Sequence, residues 1–224
     1  MRQLLIILVI LPVFLFAETP VMVETALNKL AADSTNQYSY TKKTRSAERT
    51  RVIKYDPTEK GSDRWELISI DGQQPTKEEL KSFYEEKAKN EEKNGRSFSV
   101  DSDEMRDFTL ISETGDMIKY SYRVESEKNK KMTEKLRCEM AINKKDTSLA
   151  EIKMEITEPF SPMVSVKLEE FHVEMKFDRY QPTGSPVMAQ TKTRIRGKAM
   201  LFKKIDQNVT EKYYDYQLVK KAAK

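Results

Sequence analysis

The sequence predicts a mostly β (α+β) fold: one curved antiparallel sheet forming an unclosed half-barrel, with helices covering its concave side. Three observations lead there. From residue 107 onward, apolar and charged residues alternate strand after strand, with the period of a half-buried sheet. A sheet built this way has one apolar face that must be covered, and only two helical segments are available, each with a narrow apolar stripe. Curling the sheet hides more of that face than two such helices can, although a flat sheet under a helical layer is the alternative. The composition then removes competing classes. Of 224 residues only 6 are Gly, with one Cys and one His, so Gly-rich phosphate loops, Cys/His zinc sites and internal disulfides are excluded. The 9 Phe, 10 Tyr and 1 Trp are too many for a disordered chain.

The amino terminus reads as an export signal. Met1-Arg2 carries one positive charge, and Leu4 to Phe16 is almost wholly apolar yet shorter than the roughly 20 residues that span a bilayer. Ala17 and the polar Glu18-Thr19 follow. Residues 1–17 are therefore expected to be a signal peptide cleaved near Ala17, leaving a periplasmic chain, 18–224, folded as a single domain. No Cys follows the apolar run, so no lipid anchor is expected there, and no second long apolar run exists. The formal net charge is +4, one unit of it from Arg2, in a chain with 34% charged residues. Dense mixed charge of this kind favours solubility and argues against nucleic acid as a partner.

Residues 19–32 predict a helix, capped by Thr19 with Pro20 in its first turn and with Val23, Ala26, Leu27 and Leu30 on one stripe. Two short strands follow over 38–55, joined near Ser46, and Trp65 to Ile70 forms a third that stops at Asp71-Gly72. Pro75 opens a charged surface helix over 76–93, an insertion whose Leu80, Phe83, Tyr84 and Ala88 share a face. A mobile loop is expected over 89–104. Strands then carry Ile118, Tyr120, Tyr122 and Val124; Leu136, Cys138, Met140 and Ile142; and Ala150, Ile152, Met154 and Ile156, each set on one face. In the next strand, Val164, Val166 and Leu168 occupy even positions but Phe171, Val173, Met175 and Phe177 odd ones. That phase flip at Glu169-Glu170 requires a bulge or sharp bend. Gly197 predicts a kink, Asp206-Gln207-Asn208 a turn, and Tyr214, Tyr216 and Leu218 a last strand.

An exported chain of this size, with a first helix, a long antiparallel meander and no catalytic set, resembles the periplasmic lipoprotein-carrier superfamily. Tyr55-Asp56-Pro57, Gly61, Trp65-Glu66-Leu67, Asp71-Gly72 and Pro75-Thr76 are similar to an uncharacterised lipoprotein-sorting-like branch of it. So are Gly197 to Lys204 and Tyr214-Asp215-Tyr216. The resemblance implies an unclosed barrel with helices over its mouth and an apolar cavity for acyl chains. No functional residue of a known carrier maps onto this sequence.

The candidate cavity lining is Ile118, Tyr120, Tyr122, Met140, Ile152, Met154, Phe171 and Met175, in which flexible thioethers adapt to varied apolar shapes. A solid Met-rich core is the competing interpretation of the same residues. Lys192, Arg194, Arg196 and Lys198 form an outward basic stripe, either a contact for lipid phosphates or a solvated face balanced by Glu169, Glu174 and Glu211. His172, alternating out of phase with Phe171 and Val173, is expected on the surface, and Cys138 in the core. Asp101 to Glu104 lacks the spacing of a calcium loop. No metal, cofactor or catalytic residue is expected. The leading expectation is a non-enzymatic, monomeric carrier of lipid or lipoprotein acyl chains, with an envelope membrane protein as a docking partner. A structural or regulatory protein acting through its charged surface is the alternative. An envelope-polymer hydrolase with paired carboxylates is the third.

Overall fold

The order of the strands across the sheet is their order along the chain, rotated. A computed structural model of the protein describes residues 19–33, 37–92, 102–126, 130–200 and 203–219. Among the described residues the sheet has eleven strands. From one edge it runs β4 (Met105–Glu113), β5 (Met117–Val124), β6 (Leu136–Asn143), β7 (Ser148–Ile156), β9 (Val166–Tyr180), β10 (Ser185–Ala199) and β11 (Lys203–Val219). It continues through β1 (Gln37–Arg45) and β2 (Thr50–Tyr55) to β3 (Trp65–Ile70) at the other edge, while β8 (Phe160–Met163) pairs beside β9. All pairings are antiparallel. β3 and β4, consecutive in the chain, stand at opposite edges and do not pair, so the barrel is unclosed. The chain leaves one edge and reaches the other through the segment that holds α2 (Lys77–Glu92).

Bulges curl the sheet. Between the pairs Arg196↔Glu170 and Gly197↔Leu168 lies one extra residue, Glu169, where the apolar phase of the sequence flips. Across from it, a Cβ on Gly197 would lie 2.2 Å from the Lys167 carbonyl oxygen, so that position admits no side chain. Asp107 and Asp215 sit at bulges in β4 and β11 with φ of 55° and 56°, a conformation that Asp tolerates better than most residues. Further register shifts leave Ile68, Ile111, Ala150 and Ala189 as extra residues. Each bulge bends its strand and sharpens the local twist, which turns an open sheet toward a barrel.

Two helices cover the inner face. α1 (Val21–Asp33) begins where Pro20 accepts the first helical bond from Glu24, and it buries Val23 and Ala26 completely against the sheet. α2 starts with a reciprocal cap: Thr76 N–H donates to Glu79 Oε2 at 2.9 Å and Glu79 N–H donates to Thr76 Oγ1 at 3.3 Å. A single turn, α3 (Lys130–Thr133), precedes β6. That both long helices share a face follows from register. Ile152, Met175, Thr191, Glu211, Thr44, Arg51 and Ile70 are successive cross-strand partners, and directly paired residues point the same way.

Some boundaries differ from expectation. The turn expected at Asp206–Asn208 lies inside β11, where Asp206 faces Arg196 across the ladder and its carboxylate is 3.2 Å from Arg194 Nη1. Cross-strand charge pairing there overrides a local turn composition. The chain reverses instead beyond Met200, whose φ is 47°. Of the expected loop over 89–104, α2 takes up residues to Glu92 and a 3-10 turn spans Ser102–Glu104. Residues 93–101, like residues 1–17 where an export signal is expected, lie outside the described residues. Among the described residues no helix is long and apolar enough to cross a membrane.

Candidate functional site: the interior of the half-barrel

The strands with the cleanest alternation place their apolar sets under α1. Ile118, Tyr120, Tyr122, Met140, Ile152, Met154 and Phe171 are all buried in one cluster, with Met175 packed against it, so the structure brings every residue of the expected lining together. Met140, Ile142, Cys138, Leu149 and Val23 are its most completely buried members. Burial pushes the Cys138 thiol up to about 12, far from the range of a reactive cysteine. Burial raises the neighbouring Tyr122 hydroxyl as well, and the adjacent Cys138 adds to that.

A second, smaller cluster covers the far side of the same face. Ile53 and Leu67 pair across β2 and β3, and with Ile70 they pack under Phe83 of α2, with Trp65, Leu80 and Tyr84 around them. Lys87 of α2 lies 4.2 Å from the Trp65 ring centroid, a cation–π contact that keeps its ammonium on the sheet. Burial lowers Lys87 from the usual lysine range, and the nearby Lys42 adds to the effect.

Between the clusters the inner face turns polar. Lys42 Nζ donates to Glu211 Oε1 at 2.7 Å, Thr44 Oγ1 to the same oxygen at 3.3 Å, and Tyr213 Oη to Glu211 Oε2 at 2.8 Å. The Lys42 and Glu211 side chains are only 16% and 24% exposed. Burial works to raise the Glu211 carboxyl, but the Lys42 ammonium and these three hydrogen bonds outweigh it, leaving it below the usual carboxylate range. An aromatic path runs beside this network. Trp65, Tyr55, Tyr40, Tyr216, Tyr38 and Tyr180 follow one another with centroid separations of 4.6, 5.1, 5.5, 6.0 and 5.2 Å. Burial raises the Tyr40, Tyr213 and Tyr216 hydroxyls above their ordinary range. The Tyr38 hydroxyl is buried with no hydrogen-bond partner among the described residues.

The path ends in a pocket of about 470 Å³ at the β9–β10 hairpin. Its wall includes Arg179, Tyr180, Pro182, Met188, Tyr213 and Tyr216, and the Tyr216 hydroxyl donates to the Met188 carbonyl at 2.7 Å. Such a volume falls in the range of small-molecule sites, roughly 300–1,000 Å³. None of the expected lining residues reaches this pocket. Parity hid it: the αL residue Asp215 adds one residue to β11, so Tyr213 and Tyr216 both turn inward while Tyr214 is exposed. The readable signal was the matching parity of Tyr38, Tyr40 and Lys42 in β1.

The basic stripe lies on the outer face, and its neighbours neutralise most of it. Lys192 reaches Glu174 at 3.3 Å, Arg194 reaches Glu170 at 3.6 Å and Asp206 at 3.2 Å, and Arg196 reaches Glu170 at 3.8 Å. Lys198 stands opposite Lys167 and Lys204. Of the acids expected to balance the stripe, Glu174 does so, Glu169 sits at the bulge and Glu211 faces inward to Lys42. His172 is half-exposed, 3.6 Å from Glu155. The outer carboxylates Glu151 and Glu174 are bridged by Lys176 at 3.8 and 3.3 Å. Among the described residues no group of three or more His, Cys, Asp or Glu is placed to hold a metal. Comparison with family models, curated proteins and solved structures returned no match.

Proposed function

We propose that the protein is an exported, periplasmic, non-enzymatic binding protein that takes an acyl chain into the interior of its half-barrel. The observation that carries this reading is the inner face itself: two apolar clusters under narrow helices, with an aromatic path that runs from Trp65 beside the smaller cluster to a pocket of about 470 Å³. A hydrocarbon chain seated in this pocket meets the aromatic faces of Tyr180, Tyr213 and Tyr216. Affinity comes from burial, at about 25 cal/mol per Å² of apolar surface removed from water. α1 is suited to yield, because Val23 and Ala26 are its fully buried side chains and both are small.

The reading is tested by mass spectrometry of lipids that co-purify with the chain from envelope extract, together with titration by a fluorescent fatty acid. Bound acyl chains and probe fluorescence that a Tyr216→Ala change weakens about tenfold are expected. A protein free of lipid that leaves the probe dark overturns it. That second outcome favours the solid-core alternative, for which the near-complete burial of Met140, Ile142 and Leu149 already speaks.

A further inference from the structure

Register shows that part of the sheet stands beyond its neighbours. β1 accompanies β11 only from Thr210 onward, and β7 accompanies β9 only as far as His172. Residues 203–209 of β11, the ends of β10 and β9, and β8 therefore form an arm extending past the rim of the half-barrel. Two turns lie side by side at its end, where Met200 N–H donates to the Ser165 carbonyl at 2.7 Å. They expose large apolar side chains: Met163 is 58% exposed, Met200 70%, and Val164 fully.

One row back, Lys167, Lys198 and Lys204 are direct cross-strand partners on three adjacent strands. Like charges placed opposite one another destabilise a sheet, so the fold's own energetics do not favour this row. Lys204 has a partner in Asp206 at 2.9 Å, and among the described residues no ion pair reaches Lys167 or Lys198. Within the arm, Lys167, Arg194, Arg196, Lys198, Lys203 and Lys204 oppose only Glu169, Glu170 and Asp206. The arm thus carries an excess of three positive charges, while the whole chain carries +4, one unit of which belongs to Arg2. The rest of the exported chain is neutral.

We infer that this arm is a docking surface for an anionic bilayer. Lysines attract lipid phosphates while Met163, Val164 and Met200 seat among the acyl ends of the headgroup layer. A folded protein partner fits less well, since a specific interface buries about 800 Å² per side and three side chains on two convex turns offer no such area. A bilayer surface accepts isolated apolar knuckles, because it deforms around them.

The experiment is sedimentation with vesicles, using the chain from Glu18 onward, which holds every described residue and lacks the apolar signal. Binding is expected to vesicles of phosphatidylglycerol mixed with phosphatidylcholine, and not to phosphatidylcholine alone. Raising salt from about 0.1 to about 1 M, which shortens the screening length from about 10 to about 3 Å, should release it. The triple variant K167Q/K198Q/K204Q should bind on the order of a hundredfold more weakly, and M163S/V164S/M200S at least tenfold more weakly. All these side chains lie at the surface of the arm, so unchanged melting curves verify that the variants fold. Equal binding by the lysine variant overturns the inference, as does equal sedimentation with both vesicle types or with neither. Vesicle binding that survives both arm variants but is lost on Tyr216→Ala belongs to the interior and overturns it too.

Discussion

Along β5, β6, β7 and β9 the inner face presents Tyr120, Met140, Ile152 and Met175 in register, and α1 seals it; along β10, β11 and β1 it presents Thr191, Glu211 and Thr44 in register, closed by paired charges and tyrosines. The first region gains stability from dispersion and from surface removed from water, both of which depend on tight fit. The second gains it from a carboxylate held by three groups, Lys42, Thr44 and Tyr213, an arrangement that costs desolvation and returns little net energy. Stability is concentrated under α1, and the seam adds less of it.

The strongest way to break that contrast is Met140→Ala. The site is almost fully buried at the centre of the packed region, so a loss of about 2–5 kcal/mol is expected in denaturant unfolding. A loss below about 1 kcal/mol would mean that the cluster is loosely packed and the two regions are alike. Gly197→Ala probes the join between body and arm. Its new Cβ would fall on the Lys167 carbonyl, a backbone atom with little room to move, and about 1–3 kcal/mol of destabilisation should appear.

Glu211→Gln tests the seam. It keeps the shape, removes the charge that holds Lys42, and should cost about 1–2 kcal/mol near neutral pH. Because the folded protein holds Glu211 below the ordinary carboxylate range, its contribution is present above the unfolded value and lost as pH falls through the folded one. The gap between parent and variant in thermal melts should therefore narrow below about pH 4. A constant gap would assign the loss to hydrogen-bond geometry rather than to charge. The smallest effect, about 1 kcal/mol, is expected for Thr76→Ala, which removes the cap of α2 over the second cluster. Circular dichroism of the variant should show a helix frayed at that end.

The packed region was legible in the sequence because its strands alternate without interruption, so parity alone placed Met140, Ile152 and Met154 together. The bulge at Glu169 was legible for the same reason: an interrupted alternation has one geometric remedy. The seam was not. Lys42, Glu211 and Tyr213 come from opposite ends of the chain and meet only because β1 pairs with β11, a contact on which no local pattern bears. The pocket was hidden by the single αL residue Asp215, which puts Tyr216 on the same face as Tyr213. Bulges that interrupt a polar or aromatic run leave no phase flip to read, whereas the one in β9 interrupts an apolar run and does.

The junction of β1 with β11 also sets how the molecule must assemble. It ties Gln37 to Val219, nearly the full length of the described chain. The three-stranded flap that opens the sequence has no partner until the last strand emerges, and it waits through the synthesis of everything between. Folding that depends on so distant a contact is slow, and unpaired strand edges stay available to the wrong neighbour meanwhile. Loss of the final strand would leave two separate sheets rather than a slightly shorter one.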